Sequence, residues 1–141
     1  MEEKDAVLAK QDLIRRNYLL GTRVSVNPTA GTVLQHCKLR VVRFRTQIGQ
    51  NVCVFKIGYT SNPLVRFRSY MELNYSSMSL LHVTMCKGSA EMLEAALIDL
   101  YKGTTGCRNE KAGGDGPVHL QADVFYVYIV GARADQAKRI G

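Results

Sequence analysis

The stretch Val54-Phe55-Lys56-Ile57-Gly58-Tyr59-Thr60-Ser61-Asn62-Pro63-Leu64-Val65-Arg66-Phe67-Arg68 decides the fold. Its first half, taken back to position 52, is a run of β-branched and aromatic residues that predicts a strand over 52–59. Its second half predicts a helix running to about residue 73. Asn62 or Ser61 can accept hydrogen bonds from the free N–H groups of a first turn, and Pro63 suits the first helical position, where no N–H is needed. Alternation along the strand sets Tyr59 with Phe55 and Ile57, a core face, and turns Lys56 the other way.

Working outward, residues 39–46 are β-branched and basic and predict a strand, joined by turn material at 47–51 into an antiparallel hairpin with 52–59. A third strand is expected over 80–85. Ser89 is the expected cap of a helix over 90–101, with Leu93, Leu97, Leu100 and Tyr101 recurring at core-facing spacing. Residues 103–116 are glycine-rich and predict a loop, 124–130 a last strand, and 132–140 a closing helix. Before the hairpin, residues 3–19 fit an amphipathic helix and 21–35 a loop with one short strand. The expected class is α/β (α+β): a small three-stranded, mostly antiparallel sheet flanked by helices, with an N-terminal helix and an extra C-terminal strand and helix. The expected division is 1–37 as helix and connector and 38–141 as the domain.

A chain of 141 residues, 46% hydrophobic, is the size of one domain with a real core. It has no run of about 18 apolar residues, and the acidic start Met1-Glu2-Glu3-Lys4-Asp5 lacks the pattern of a secretory signal. The expectation is a soluble intracellular protein, cytoplasmic or nuclear, without a membrane partner. Cys37, Cys53, Cys86 and Cys107 show neither the paired spacing of a zinc site nor a disulfide framework, so they read as reduced thiols. The net charge is +7, and residues 13–71 hold ten cations and no carboxylate. Such a stretch attracts phosphates by releasing counterions, which points to nucleic acid over an ordinary solvated basic face.

The segment Lys56-Ile57-Gly58-Tyr59-Thr60 through Arg66 resembles the second motif of the GIY-YIG nuclease superfamily, whose Y-I-G strand leads through a capped turn to a helix. The family's catalytic arginine lies eight residues after the glycine, which is Arg66 here, and Lys56 stands in place of the tyrosine. Leu93-Glu94-Ala95-Ala96-Leu97-Ile98-Asp99-Leu100-Tyr101, followed by Asn109, is similar to the family's metal-binding helix and trailing asparagine. The first family motif falls on Val42-Arg43-Phe44-Arg45, where Phe44 keeps a ring without the hydroxyl. The resemblance covers about two thirds of the chain.

What the resemblance implies is a metal-dependent endonuclease acting on DNA, with Glu94 holding one Mg²⁺ or Mn²⁺ and Arg66 stabilising the phosphate. A guanidinium suits that task because its fork of donors stays charged and matches two non-bridging oxygens. Lys56 is expected as a phosphate ligand, since an ordinary ammonium has no lone pair for base catalysis. Tyr70 shares the Arg66 face, four residues on, and offers a proton-handling hydroxyl or a core ring. Arg43, Arg45, Arg68 and Asn109 are the further expected contacts to nucleic acid. Outside the resemblance, Glu94 reads as a helix-border carboxylate, Arg66 as a surface cation and Asn109 as a turn former. Because both family tyrosines are absent, the alternative is a nucleic-acid-binding module without turnover. A third reading is a protein-interaction domain using Phe125-Tyr126-Val127-Tyr128-Ile129 as an edge strand. His36, His82 and His119 share no metal-ligand spacing, and His82 reads as a structural histidine.

Overall fold

The decisive segment folds as its residues dictate. β1 (Cys53–Thr60) is an eight-residue strand, and α2 (Pro63–Met71) follows it after a two-residue turn. The Asn62 side chain accepts from the Val65 N–H at 3.2 Å and Pro63 opens the helix. In the computed structural model, residues 30–109 and 124–137 are described. Around β1 and α2 lie α1 (Ala30–Ile48), β2 (Ser77–Thr84), α3 (Lys87–Tyr101) and β3 (Phe125–Arg133). The expected helix over 3–19 lies outside the described residues, as do 110–123 and 138–141.

The class is the expected α+β architecture with a three-stranded antiparallel sheet, but its membership differs. Residues 39–46 are not a strand; they belong to α1. The apolar residues there are buried at helical intervals, Cys37, Val41 and Phe44, while Leu39 and Val42 face solvent. That is a 3.6-residue period hidden inside a β-branched, basic composition. Positions 30–35, expected as loop, are the first turns of the same helix, which also runs through the expected boundary at 37/38.

With no hairpin before it, β1 pairs with β3, antiparallel, Gly58 opposite Tyr128 and Lys56 opposite Val130. β2 pairs with the other side of β3, so the strand order is β1-β3-β2. The last strand is therefore central, which removes the reading of Phe125–Ile129 as an edge for a partner. β3 extends through Arg133, and residues 134–137 form a turn, so the closing helix expected from 132 does not begin there. α3 begins at Lys87, earlier than expected. Its N-cap is Cys86, without a side-chain cap bond, and Ser89 sits within the first turn. Leu93 and Leu97 are buried as expected, whereas Leu100 is 47% exposed and Ile98 takes its place in the core.

Two cores lie on the two faces of the sheet. One unites Val41 and Phe44 of α1, Leu93 and Leu97 of α3, and Phe55, Ile57, Val127 and Ile129 of the strands. The other unites Phe67 and Tyr70 of α2 with Met78, Leu80, Tyr126, Tyr128 and Val130. A register shift between Leu80 and His82 lets Leu80 and Val83 join the second core and Leu81 the first. Gly131 permits α1 to close on the sheet, because a Cβ there would stand 2.8 Å from the Phe44 ring. Among the described residues no helix is long and apolar enough to cross a membrane.

Candidate functional site

The turn from β1 to α2 is tied by side chains: the Asn62 N–H donates to Thr60 Oγ1 at 3.1 Å, and the Asn62 carboxamide caps the helix. This fixes the entry of α2, and one turn in, Arg66 reaches β3. An Arg66 guanidinium N–H donates to the Tyr128 hydroxyl at 3.3 Å. The hydroxyls of Tyr128 and Tyr70 share a hydrogen bond of 3.2 Å, with the rings edge to face. Lys56 lies on this same sheet face, because residues opposite one another in an antiparallel pair point the same way and its partner Val130 belongs to the second core. The structure thus gathers Arg66, Tyr70, Tyr128 and Lys56 on the α2 side. Arg66 and Lys56 are half-buried, and Arg68 of the same helix is exposed.

Glu94 approaches the sheet from the other side. It shares with Ala90, Leu97 and Ile98 the stripe of α3 that meets the first core, and it is 2% exposed. Its neighbourhood includes the half-buried Tyr59, whose phenol is pushed up by burial, by the Glu91 carboxylate and, more weakly, by Glu94. Glu91 is itself paired with Lys87 at 3.2 Å. Arg66 and Glu94 therefore stand on helices covering opposite faces. Both lie toward the same end of β1, where Tyr59 faces α3 and Thr60, opposite Tyr126, faces α2. Among the described residues no group of three or more metal-ligating side chains comes together. A carboxylate oxygen suits a hard cation such as Mg²⁺ or Mn²⁺ whose shell is completed by water and substrate phosphate, so Glu94 fits in donor type.

The remaining expected contacts separate. Arg43 is exposed on α1, and Arg45, half-buried on the same helix, donates to the Thr105 carbonyl at 3.3 Å with its guanidinium carbon 5.0 Å from the Phe55 ring centroid. Arg40 reaches across to β2, donating to the Leu80 carbonyl at 2.7 Å and to Ser79 at 3.1 Å. These three arginines sit on the helix that covers the face away from Arg66, so the described cations of the carboxylate-free stretch do not form one surface. Asn109 is buried, and both ends of its carboxamide bond the Ile57 backbone: Ile57 N–H donates to Oδ1 and Nδ2 donates to the Ile57 carbonyl, each at 2.8 Å.

The cysteines are reduced: Cys37, Cys53, Cys86 and Cys107 are all free. Burial pushes the Cys37 thiol up to about 12 and the Cys53 thiol up to about 11. His82 is a buried structural histidine, held down to about 4 by burial and by His36.

Tyr128, which joins Arg66 and Tyr70, is not among the residues that the motifs point to. The resemblance implies an antiparallel partner that precedes the Lys56 strand, with its ring at Phe44. The chain supplies that partner from its C-terminal end, and the alternating run Tyr126-Val127-Tyr128-Ile129 was the signal that could have found it. No family model, curated protein or solved structure matches the chain.

Proposed function

We propose that the chain is a metal-dependent endonuclease that hydrolyses phosphodiester bonds of nucleic acid, DNA above all, at the α2 face. The observation that carries this reading is the hydrogen-bonded set Arg66, Tyr128 and Tyr70 on the face that also holds Lys56. Arg66 binds the scissile phosphate through its fork of donors, and Lys56 adds a second cation to neutralise the charge that builds on it. The Tyr128 and Tyr70 hydroxyls, joined beside Arg66, are the groups that hold and pass a proton as water loses one and the leaving oxygen gains one. They answer the absence of both tyrosines of the family pattern that the sequence resembles. Glu94 would hold one Mg²⁺ or Mn²⁺, which when bound supplies Lewis-acid stabilisation of the phosphoryl oxygens. Arg66 and Glu94 stand on helices that cover opposite faces of the sheet, so a shared phosphate and ion would have to bridge them around the end of β1 that both helices flank.

The burial of Glu94 favours one other reading, a module on the same face that binds nucleic acid without turnover. One experiment decides. Plasmid and single-stranded DNA are incubated with the protein in Mg²⁺ or Mn²⁺, beside Arg66→Ala, Glu94→Ala and Tyr128→Phe. The expected result is cleavage by the unsubstituted chain, reduced about 100-fold or more in Arg66→Ala and about 100-fold in Tyr128→Phe, and abolished in Glu94→Ala. Cutting that survives in Arg66→Ala and Glu94→Ala alike would sink the site. Salt-sensitive binding with no cutting by any form establishes the binding module instead.

A further inference from the structure

The outer edge of β1 is closed by the segment after α3. Phe55 N–H donates to the Gly106 carbonyl at 2.9 Å and the Arg108 N–H donates to the Phe55 carbonyl at 2.8 Å, a parallel pairing with Cys107 opposite Phe55. A strand would make its next pair with Ile57, two residues on. Here the Asn109 carboxamide takes both bonds. Its oxygen and nitrogen reproduce the acceptor and donor of a peptide group. Bonds along a strand alternate between its two sides, so with Ile57 bonded outward, Lys56 and Gly58 turn their backbone groups inward to β3. Lys56 and Gly58 are thereby held between β3 on one side and an Ile57 clamped on the other. The Cys107 thiol also points to the Asn109 oxygen at 3.7 Å.

We propose that Asn109 is a positioning residue: its carboxamide continues the edge pairing of β1 by one residue and sets the Lys56 side chain in register with Arg66. This rests on the reading of Lys56 as a phosphate ligand and changes the expected part of Asn109, from touching nucleic acid to acting through the Ile57 backbone. A Cβ truncation strands two buried backbone groups at the point where Lys56 leaves the sheet. Asn109→Asp keeps the acceptor for the Ile57 N–H but sets a carboxylate oxygen against the Ile57 carbonyl, so it separates the two bonds.

The test uses the full chain. Amide hydrogen exchange is followed in the unliganded protein for the native sequence, Asn109→Ala and Asn109→Asp. Faster exchange at Ile57 in Asn109→Ala, with Phe55 still protected, and retained protection at Ile57 in Asn109→Asp, is the expected pattern; unchanged exchange at Ile57 in Asn109→Ala overturns the proposal. Binding to a short DNA duplex is then measured against salt. Lys56→Met and Asn109→Ala are each expected to lower the slope of log K against log salt by about one unit, and the double variant by no more than either alone. Additive losses in the double variant mean that Asn109 touches DNA by itself, and overturn the proposal. Should the native chain bind no DNA, the proposed function fails, while the exchange pattern still decides whether Asn109 clamps β1. Should Asn109→Ala not fold, Asn109→Asp carries both arms: it must keep Ile57 protected and lose the same unit of slope, and protection lost or slope kept overturns the inference.

Discussion

His82 lies on β2 facing α1, where an imidazolium would lose its water and meet His36, with Arg40 and Arg43 close behind it. Its folded pKa, about 4, is below the unfolded value of 6.5, so the unfolded chain binds the extra proton first as pH falls. Stability is therefore complete above pH 6.5 and is lost progressively down to about pH 4, by an amount on the order of 3 kcal/mol for this group. His36, lowered by burial and then by Arg40 and Arg43, adds a loss of the same sign. Urea unfolding at pH 7.5 and 4.5 checks this: the native chain should drop sharply, and His82→Gln should drop by clearly less. Equal drops in both proteins would remove His82 as the cause. Residue-scale reading from sequence worked where partners are close along the chain. Asn62 and Pro63 announce α2 because a cap needs only the next three residues, and Gly58 to Arg66 is a local spacing. It failed for Asn109 and Tyr128, whose partners stand 52 and 62 residues away.

Among the elements, α1 shows why composition misled. Its β-branched and basic residues fit a pleated surface, yet burial follows Cys37, Val41 and Phe44, and only the packed sheet selects that period. Glu94 on α3 was legible as a carboxylate on an apolar helix border; which face that helix would cover was not, because β3 had not been placed. The edge segment after α3 makes a sharper demand. Gly106 has φ +92° and a Cβ there would collide with the Cys53 carbonyl, so the close approach of this segment to β1 at that point requires a glycine. Gly106→Ala is expected to cost at least about 2 kcal/mol in chemical denaturation. Gly103→Ala, which meets nothing within 4 Å, should stay within about 0.5 kcal/mol of the native chain. Equal midpoints for the two variants would argue against the close approach.

For the molecule as a whole, the described part of the basic stretch, expected to act as one attractive surface, is divided by the sheet. Lys56, Arg66 and Arg68 belong to the α2 side, and Arg40, Arg43 and Arg45 to the side of α1, where two of the three brace the fold. If DNA lies along α2, Arg68→Ser should lower the salt slope of binding by about one unit and Arg43→Ser should leave it unchanged. Filter binding or fluorescence anisotropy across a salt series reads both. A larger effect from Arg43→Ser would move the contact surface to α1.

The placing of β3 at the centre of the sheet also sets when this protein can fold during its own synthesis. β1 and β2 are made early but have no ladder between them; each waits for a strand that begins at residue 125. At about 5–20 residues per second, β1 is finished several seconds before its partner leaves the ribosome. Until then β1 and β2 each lack the ladder that β3 supplies, both cores lack their central strand, and a copy cut short before β3 cannot form the described three-stranded sheet.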